Sequence, residues 1–223
     1  MVCRIRRPLQ PLPVTPNPAR PEHLSPLKLL LLLICIGAET AAAENSLPAK
    51  SLDDVCKQVV CRPPTKIRLD MGQQRFYVVD QPRAPFVYDG VINVLADETV
   101  SAAGHTTGED ITDLSYAPDP SKAGLLIVAR LQQTNDSQSK LGMVLTINNP
   151  FDRPLAYKAY IQPAGKNEFS ATPVCPVPPG RISAETWPYP VVQILLREFR
   201  FLGKNESLPL DCNPLPAAGS ATR

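Results

Sequence analysis

Hydrophobic and polar residues alternate along residues 142–161. Every second side chain of residues 143–147 is apolar, and residues 155–161 repeat the same two-residue period. A period of two is the signature of a β-strand. Prolines in the connecting residues have no amide hydrogen to donate to a ladder, so they end both strands. The segment therefore predicts a β-hairpin with which the rest of the chain pairs.

Further strands are predicted elsewhere in the chain, by clean alternation at residues 66–71 and by aromatic, branched or apolar residues in the other segments. They cover residues 66–71, 75–80, 86–95 and 124–131, with a short edge strand at 99–103 and a polar loop at 104–121. Within 86–95, Asp89-Gly90 fits either a hairpin turn or a bulge in one strand. Residues 191–202 fit a helix by their flanking proline and glycine, but the branched opening and the Phe199-Arg200-Phe201 alternation favour a strand.

Six to eight short strands separated by frequent turn signals predict an all-β, antiparallel β-sandwich. The order of elements is similar to that of immunoglobulin-like extracellular domains. The resemblance is one of pattern, since Trp187 follows Cys175 too closely for the Cys, Trp, Cys arrangement of antibody domains. The predicted sandwich spans residues 64–212, after a flexible lead-in at 44–63 and before a disordered tail at 213–223.

Residues 1–43 have the order of a cleavable secretory signal helix. Basic residues precede an apolar run at 29–38, and Ala41-Ala42-Ala43 follows it. The run is shorter than the roughly 20 residues that cross a bilayer, so no stable membrane span is expected after cleavage. Removing residues 1–43 takes away five of 23 basic and two of 21 acidic side chains. The remaining net charge is near −1, which predicts no nucleic-acid binding. We expect an exported protein, periplasmic or extracellular.

Four cysteines remain after the signal, an even number in a compartment that permits disulfides. Of the three possible pairings, we favour a local Cys56–Cys61 bridge and a Cys175–Cys212 bridge that holds the end of the chain to the domain. A zinc site is the competing interpretation, but it requires reduced thiols in closely spaced pairs.

Little in the sequence indicates catalysis. His105 is the one histidine outside residues 1–43, and a hydrolase would need it to meet a nucleophile and an acid such as Ser101, Asp110 or Asp113. The acidic run at residues 108–113 has the oxygen ligands of a calcium site but not the spacing of an EF-hand loop. No glycine-rich phosphate loop is present, so no cofactor is predicted.

Three aromatic residues in proline-rich connections are the candidate interaction residues: Phe151, Trp187 and Tyr189. Exposed aromatic side chains are enriched at protein interfaces, although Trp187 also fits the end of a sandwich core. We therefore predict a noncatalytic exported protein that binds another protein, through these loops or through a sheet edge. A secreted hydrolase using His105 and a purely structural surface module are the alternatives.

Overall fold

A computed structural model of the chain describes residues 51–119, 125–135, 141–203, 206 and 212, with Asn135 described by its backbone only. The predicted signal segment and the predicted disordered tail lie outside the described residues, as do residues 44–50 of the predicted lead-in. Within the described ranges, no helix is long and apolar enough to cross a membrane.

The described residues form one helical turn, α1 at Leu52–Val55, and fourteen strands. In chain order the strands are β1 (Cys61–Arg62), β2 (Thr65–Asp70), β3 (Phe76–Gln81), β4 (Ala84–Pro85), β5 (Val87–Tyr88), β6 (Val91–Leu95), β7 (Glu98–Thr107), β8 (Asp110–Tyr116), β9 (Leu126–Asn135), β10 (Leu141–Asn148), β11 (Leu155–Pro163), β12 (Ser170–Thr172), β13 (Ile182–Trp187) and β14 (Val191–Phe201).

Every strand pair is antiparallel, and ten strands join in one sheet. The prediction of an all-β antiparallel fold is confirmed. The described strands outnumber the six to eight predicted, because prolines and tight turns leave several of only two or three residues. The pairs β1–β4 and β2–β3 form two small separate sheets.

The ten-stranded sheet narrows to a single residue pair where β14 meets β8, at Arg200 and Asp110. One half of the sheet contains β5, β6, β14, β11 and β12, and the other contains β8, β7, β9, β10 and β13. Side chains from both halves form one hydrophobic cluster. Fully buried members such as Leu145, Leu155 and Leu196 each stabilise the fold by about 1.5–3 kcal/mol relative to exposure.

The predicted hairpin at residues 142–161 is wrong, although both of its strands are present. β10 pairs with β9 and β13, whereas β11 pairs with β12 and β14. The connection therefore carries the chain from one half of the sheet to the other. Alternation identifies a strand but not its neighbour, since all strands that face a shared core have the same period.

Asn149 shapes this connection from a fully buried position. Its Nδ2 group donates to the carbonyl oxygens of Arg153 at 2.7 Å and Val177 at 2.9 Å. Its Oδ1 atom accepts the Phe151 amide at 2.9 Å. The side chain thus replaces ladder hydrogen bonds that the neighbouring prolines cannot make.

The prediction of an edge strand at 99–103 followed by a loop at 104–121 is also wrong. β7 and β8 form a hairpin through this region, and β7 lies between β8 and β9 inside the sheet. His105 therefore lies on a strand. Small and polar residues hid the pattern, since the buried positions of β7 include Ser101 and Ala102 rather than large apolar side chains.

Two open alternatives are settled by the backbone. Residues 191–201 form strand β14, as favoured, and it is the longest described strand. Asp89 and Gly90 form the turn between β5 and β6, with φ angles of 49° and 70°. A two-residue turn with positive φ at both positions matches the twist of the flanking strands, so residues 86–95 contain two strands.

Both favoured disulfides, Cys56–Cys61 and Cys175–Cys212, are confirmed, each with Cα atoms 5.5 Å apart. The first bridge links the turn after α1 to β1. Beside it, the buried Arg62 guanidinium lies 2.8 Å from the Glu98 carboxylate and donates to the Asn93 carbonyl oxygen. The described part of the predicted lead-in thus packs against the domain.

Candidate functional site

The three candidate interaction residues differ in exposure. Trp187 is 3% exposed, and its indole Nε1 donates to the Thr172 hydroxyl at 3.0 Å. Phe151 is also buried and meets Phe201 edge to face at 5.1 Å. Only Tyr189 keeps a large exposed fraction, 39%. Phe151 is therefore not exposed as its position in a proline-rich connection suggested, and Trp187 packs in the core, which is the alternative that the sequence favoured.

All three residues nevertheless flank one strand, β13. The Phe151 carbonyl oxygen accepts the amide of Gly180 at 2.9 Å, two residues before β13 begins. Trp187 is the last residue of β13, and Tyr189 follows it by two positions. The aromatic residues thus indicate β13, a strand that the sequence pattern did not predict.

β13 lies at the end of the ten-stranded sheet and pairs with β10 on one side only. The Asn149 amide donates to the Arg181 carbonyl oxygen at 2.8 Å, which fixes the alternation of the ladder. Hydrogen-bonded pairs recur at every second residue of an antiparallel ladder. Ser183, Glu185 and Trp187 therefore bond to β10.

The remaining backbone groups of β13 point away from β10. These are the N–H and C=O groups of Ile182, Ala184 and Thr186, and no described residue makes a backbone hydrogen bond to them. We call this row the β13 edge. Among the described residues, the β13 edge thus presents six backbone groups without a backbone hydrogen-bond partner, whereas buried or partly covered backbone groups normally have one.

The side chains of the β13 edge carry no charge. Ile182 is 72% exposed, and Ala184 and Thr186 are partly exposed beside Thr146 and Val144 of β10. Natural edge strands are usually protected by lysines, prolines or bulges. β13 contains none of these within its six residues, so its edge is accessible to another strand.

The preceding segment cannot occupy this edge because it contains Pro173, Pro176, Pro178 and Pro179, which exclude a regular ladder. It is attached to β13 by side chains instead. The Cys175 amide donates to Glu185 Oε1 at 2.9 Å, and Thr172 accepts from Trp187. These contacts fix β13 from its core face and use none of the backbone groups of the β13 edge.

Glu185 is an unusual core residue because it is a carboxyl group at a fully buried position. Burial raises the pKa of Glu185, and the hydrogen bond from Cys175 offsets part of this effect. Burial also raises the pKa of the Tyr157 hydroxyl, with a further contribution from Glu185. Among the described residues that hydroxyl has no hydrogen-bond partner.

The hydrolase alternative is not assembled by the described geometry. His105 Nδ1 lies 3.9 Å from the Asp113 carboxylate, and both side chains are largely exposed. Ser101 is buried and lies four residues from His105 on β7, about 13 Å at strand rise. Asp110 pairs with Thr107 at the far end of the hairpin. The described residues contain no group of acidic, histidine or cysteine side chains arranged to hold a metal ion.

Three surface pockets of the described residues lie away from β13, one of them of about 990 Å³ beside Gly108, Arg153 and Leu202. Another of about 420 Å³ is lined by residues that include Leu52, Pro85 and Tyr88, and one of about 380 Å³ includes Tyr88 and Tyr116. The pocket of about 420 Å³ is lined mainly by the β3–β6 region with part of β14, that of about 380 Å³ by residues 57–60, residues 87–89 and the end of β8, and neither includes a residue of β13.

The chain matches no protein-family model, no curated protein and no solved structure.

The sequence contained a signal for β13, but with the faces reversed. Residues 182–185 alternate between apolar and polar side chains, yet Ser183 and Glu185 face the core while Ile182 faces outward. A pattern reading places apolar residues inside and polar residues outside. Because this strand violates that rule, the face that it buries is known only from the fold.

Proposed function

We propose that this protein is an exported, noncatalytic, immunoglobulin-like β-sandwich that binds an extended segment of a partner protein along the β13 edge. The observation that carries the proposal is the row of unpaired backbone groups at Ile182, Ala184 and Thr186. Strand addition is a recurring mode of peptide recognition, in which main-chain hydrogen bonds give affinity and alternate side chains give specificity.

The sandwich architecture is supported by the division of the large sheet into two halves that share one core. The connection from β10 to β11 carries the chain between those halves, as connections in two-layer β-proteins do. A side-chain contact also links the two halves, because Thr172 lies in β12, which pairs with β11, and accepts a hydrogen bond from Trp187 of β13.

Export is supported by the two disulfides and by the signal pattern of residues 1–43. Disulfides persist in oxidising compartments and are rare in the cytosol. Both cysteines of the Cys175–Cys212 bridge are buried, and the Cys175 amide contacts Glu185 on the core face of β13. The bridge holds the segment that positions Glu185 and Trp187.

The chemistry of the β13 edge defines its partner. Six backbone groups match an extended segment of about five residues. Small or β-branched partner residues fit beside Ala184 and Thr186, and an apolar one fits beside Ile182, because cross-strand neighbours lie about 5 Å apart. Tyr189 lies just beyond the strand, and its exposed ring supplies an aromatic contact there.

The proposal is tested by capture from the exported fraction of the source cells. Native protein, the double variant Ile182→Lys, Thr186→Lys and the control Leu125→Lys are crosslinked in parallel and analysed by mass spectrometry. Leu125 is another exposed apolar residue, before β9. We expect one extended partner segment to be captured by the native and control proteins and lost from the double variant. Equal capture by all three contradicts binding at the β13 edge.

A further inference from the structure

The β2–β3 hairpin has a second unpaired edge. The Met71 amide donates to the Arg75 carbonyl oxygen at 2.8 Å, which sets the alternation of this ladder. Leu69 with Tyr77 and Ile67 with Val79 are therefore the hydrogen-bonded pairs. The backbone groups of the intervening residues point outward on both sides of the hairpin.

One contact verifies this alternation on the β2 side. The side-chain amide of Gln133, on β9, accepts from the Asp70 amide at 2.8 Å and donates to the Asp70 carbonyl oxygen at 2.8 Å. Gln133 thus pairs with Asp70 as a neighbouring strand would, and it holds β2 to the main sheet.

The β3 side has no such partner. Phe76, Val78 and Asp80 direct their N–H and C=O groups outward, and no described residue bonds to them. We call this row the β3 edge. Phe76 is 47% exposed and Val78 is 52% exposed. Two adjacent apolar side chains beside free backbone groups form a docking surface for a strand.

A side chain from β2 holds Phe76 in place beside this edge. The Arg68 guanidinium lies 3.7 Å from the centre of the Phe76 ring, and Arg68 is directly opposite Val78 in the ladder. This cation–π contact holds the Phe76 ring in place on the hairpin surface. Tyr77 and Val79 face the other way and pack against the core.

We infer that two copies of this chain associate by antiparallel pairing of their β3 edges about a two-fold axis at Tyr77. A two-fold interface requires a self-complementary surface. With the axis at Tyr77, Phe76 of one copy lies opposite Val78 of the other, and the same pair repeats across the axis. Each pair exchanges two hydrogen bonds, and aromatic with β-branched pairs are favourable across strands.

The next possible register of the two β3 edges is less favourable. A two-fold axis at Val78 also brings the outward backbone groups of both copies into hydrogen-bonding positions, but it places each Phe76 opposite an Asp80 carboxylate. A carboxylate directly across from an aromatic ring loses hydration without gaining a charged partner. The axis at Tyr77 instead places Asp80 opposite the polar Gln74 of the turn and puts no like charges face to face.

This association does not depend on the proposed function, since it uses a different edge. It is tested by sedimentation equilibrium of the purified, disulfide-bonded protein between micromolar and millimolar concentrations. We expect the weight-average mass to rise towards twice the monomer mass. The variants Phe76→Asp, Val78→Asp and Phe76→Lys, Val78→Lys should each stay monomeric, because like charges then lie directly opposite.

Mixing the two charged variants gives the sharpest result. In the proposed register each Lys lies opposite an Asp of the other copy, so the equimolar mixture should regain at least half of the lost dimer. Leu125→Asp is the matched control and should dimerise as the native protein does. Native protein that stays monomeric overturns the inference, as do charged variants that still dimerise, a mixture that stays monomeric, or loss of the dimer in Ile182→Lys.

Discussion

The two unpaired edges of this protein differ in what lies beside the backbone. The β3 edge carries the large exposed Phe76 and Val78 side chains above a half-buried inner face. The β13 edge carries small uncharged residues outside and the buried Glu185 and Trp187 within. Neither edge has a backbone hydrogen-bond partner among the described residues, so the backbone alone does not distinguish the two proposals. The side chains favour a second copy at β3 and an extended segment at β13.

The largest effect is expected from the disulfide behind β13. The bridge Cys175–Cys212 closes a sequence separation of 37 residues and Cys56–Cys61 one of 5. In the chain-entropy model their removal lowers the free energy of unfolding by about 4 and about 2 kcal/mol, respectively. Urea unfolding of the paired Cys→Ser variants measures both. Equal losses would contradict the larger role assigned to the bridge at β13.

A smaller loss of stability is expected where Gln133 holds the β2–β3 hairpin to the main sheet. Gln133→Ala removes both hydrogen bonds to Asp70 and should lower the free energy of unfolding by about 2 kcal/mol. The adjacent Gln132→Ala is the control, because that side chain is exposed. Hydrogen exchange should accelerate in β2 and β3 but not in β13. Acceleration in both regions would show that the edges are not independent.

The next effect depends on pH and concerns β13. Burial raises the folded-state pKa of Glu185 above its usual value of 4.5, so the folded state disfavours ionisation. Its contribution to stability is complete below pH 4.5 and is lost as the pH rises through the folded-state pKa. Glu185→Gln cannot ionise, so the variant should keep the free energy of unfolding that the native protein loses. That difference is about 1.4 kcal/mol for each tenfold difference in the acid dissociation constant of Glu185 between the folded and unfolded states.

Thermal unfolding between pH 3.5 and pH 8 measures this prediction. The variant and native proteins should be equally stable at the acid end, and the variant should gain stability as the pH rises. Glu168→Gln is the control, since Glu168 is exposed. A difference between Glu185→Gln and native protein that stays constant with pH would contradict the assigned pKa direction.

The smallest effect is expected on the outer face of the β3 region. Arg68→Ala removes the cation–π contact with Phe76 and should lower the free energy of unfolding by about 0.5–1 kcal/mol. Lys66→Ala is the control, because its contact with Asp80 is long at 3.7 Å and both side chains are exposed. If both variants lower the free energy of unfolding equally, the cation–π contact of Arg68 does not stabilise the hairpin.

Local pattern was sufficient for much of the fold but not for its pairing. Alternation predicts β2, β10 and β11, because their core faces carry apolar residues. Aromatic and branched residues predict β3, and together with the alternation at residues 199–201 they favour a strand at β14. The pairing of β10 with β13 was missed, since register depends on contacts distant in sequence. The disulfides were predicted from cysteine number and spacing, which restrict the choices strongly.

The candidate site was predicted only in part. Phe151, Trp187 and Tyr189 lie at or beside β13, but Phe151 and Trp187 pack in the core instead of contacting solvent. The strand itself was hidden by Ser183 and Glu185 on its buried face. A buried carboxyl group is costly without a hydrogen-bond donor, and that donor, the Cys175 amide, is known only from the structure.

The central claim is that the β13 edge is free, and residue-resolved amide hydrogen exchange of the protein without a partner tests it most directly. The amides of Ser183, Glu185 and Trp187, which face β10, should exchange slowly. The amides of Ile182, Ala184 and Thr186 should exchange much faster. Equal protection of all six amides would show that the β13 edge is already paired and would contradict the account.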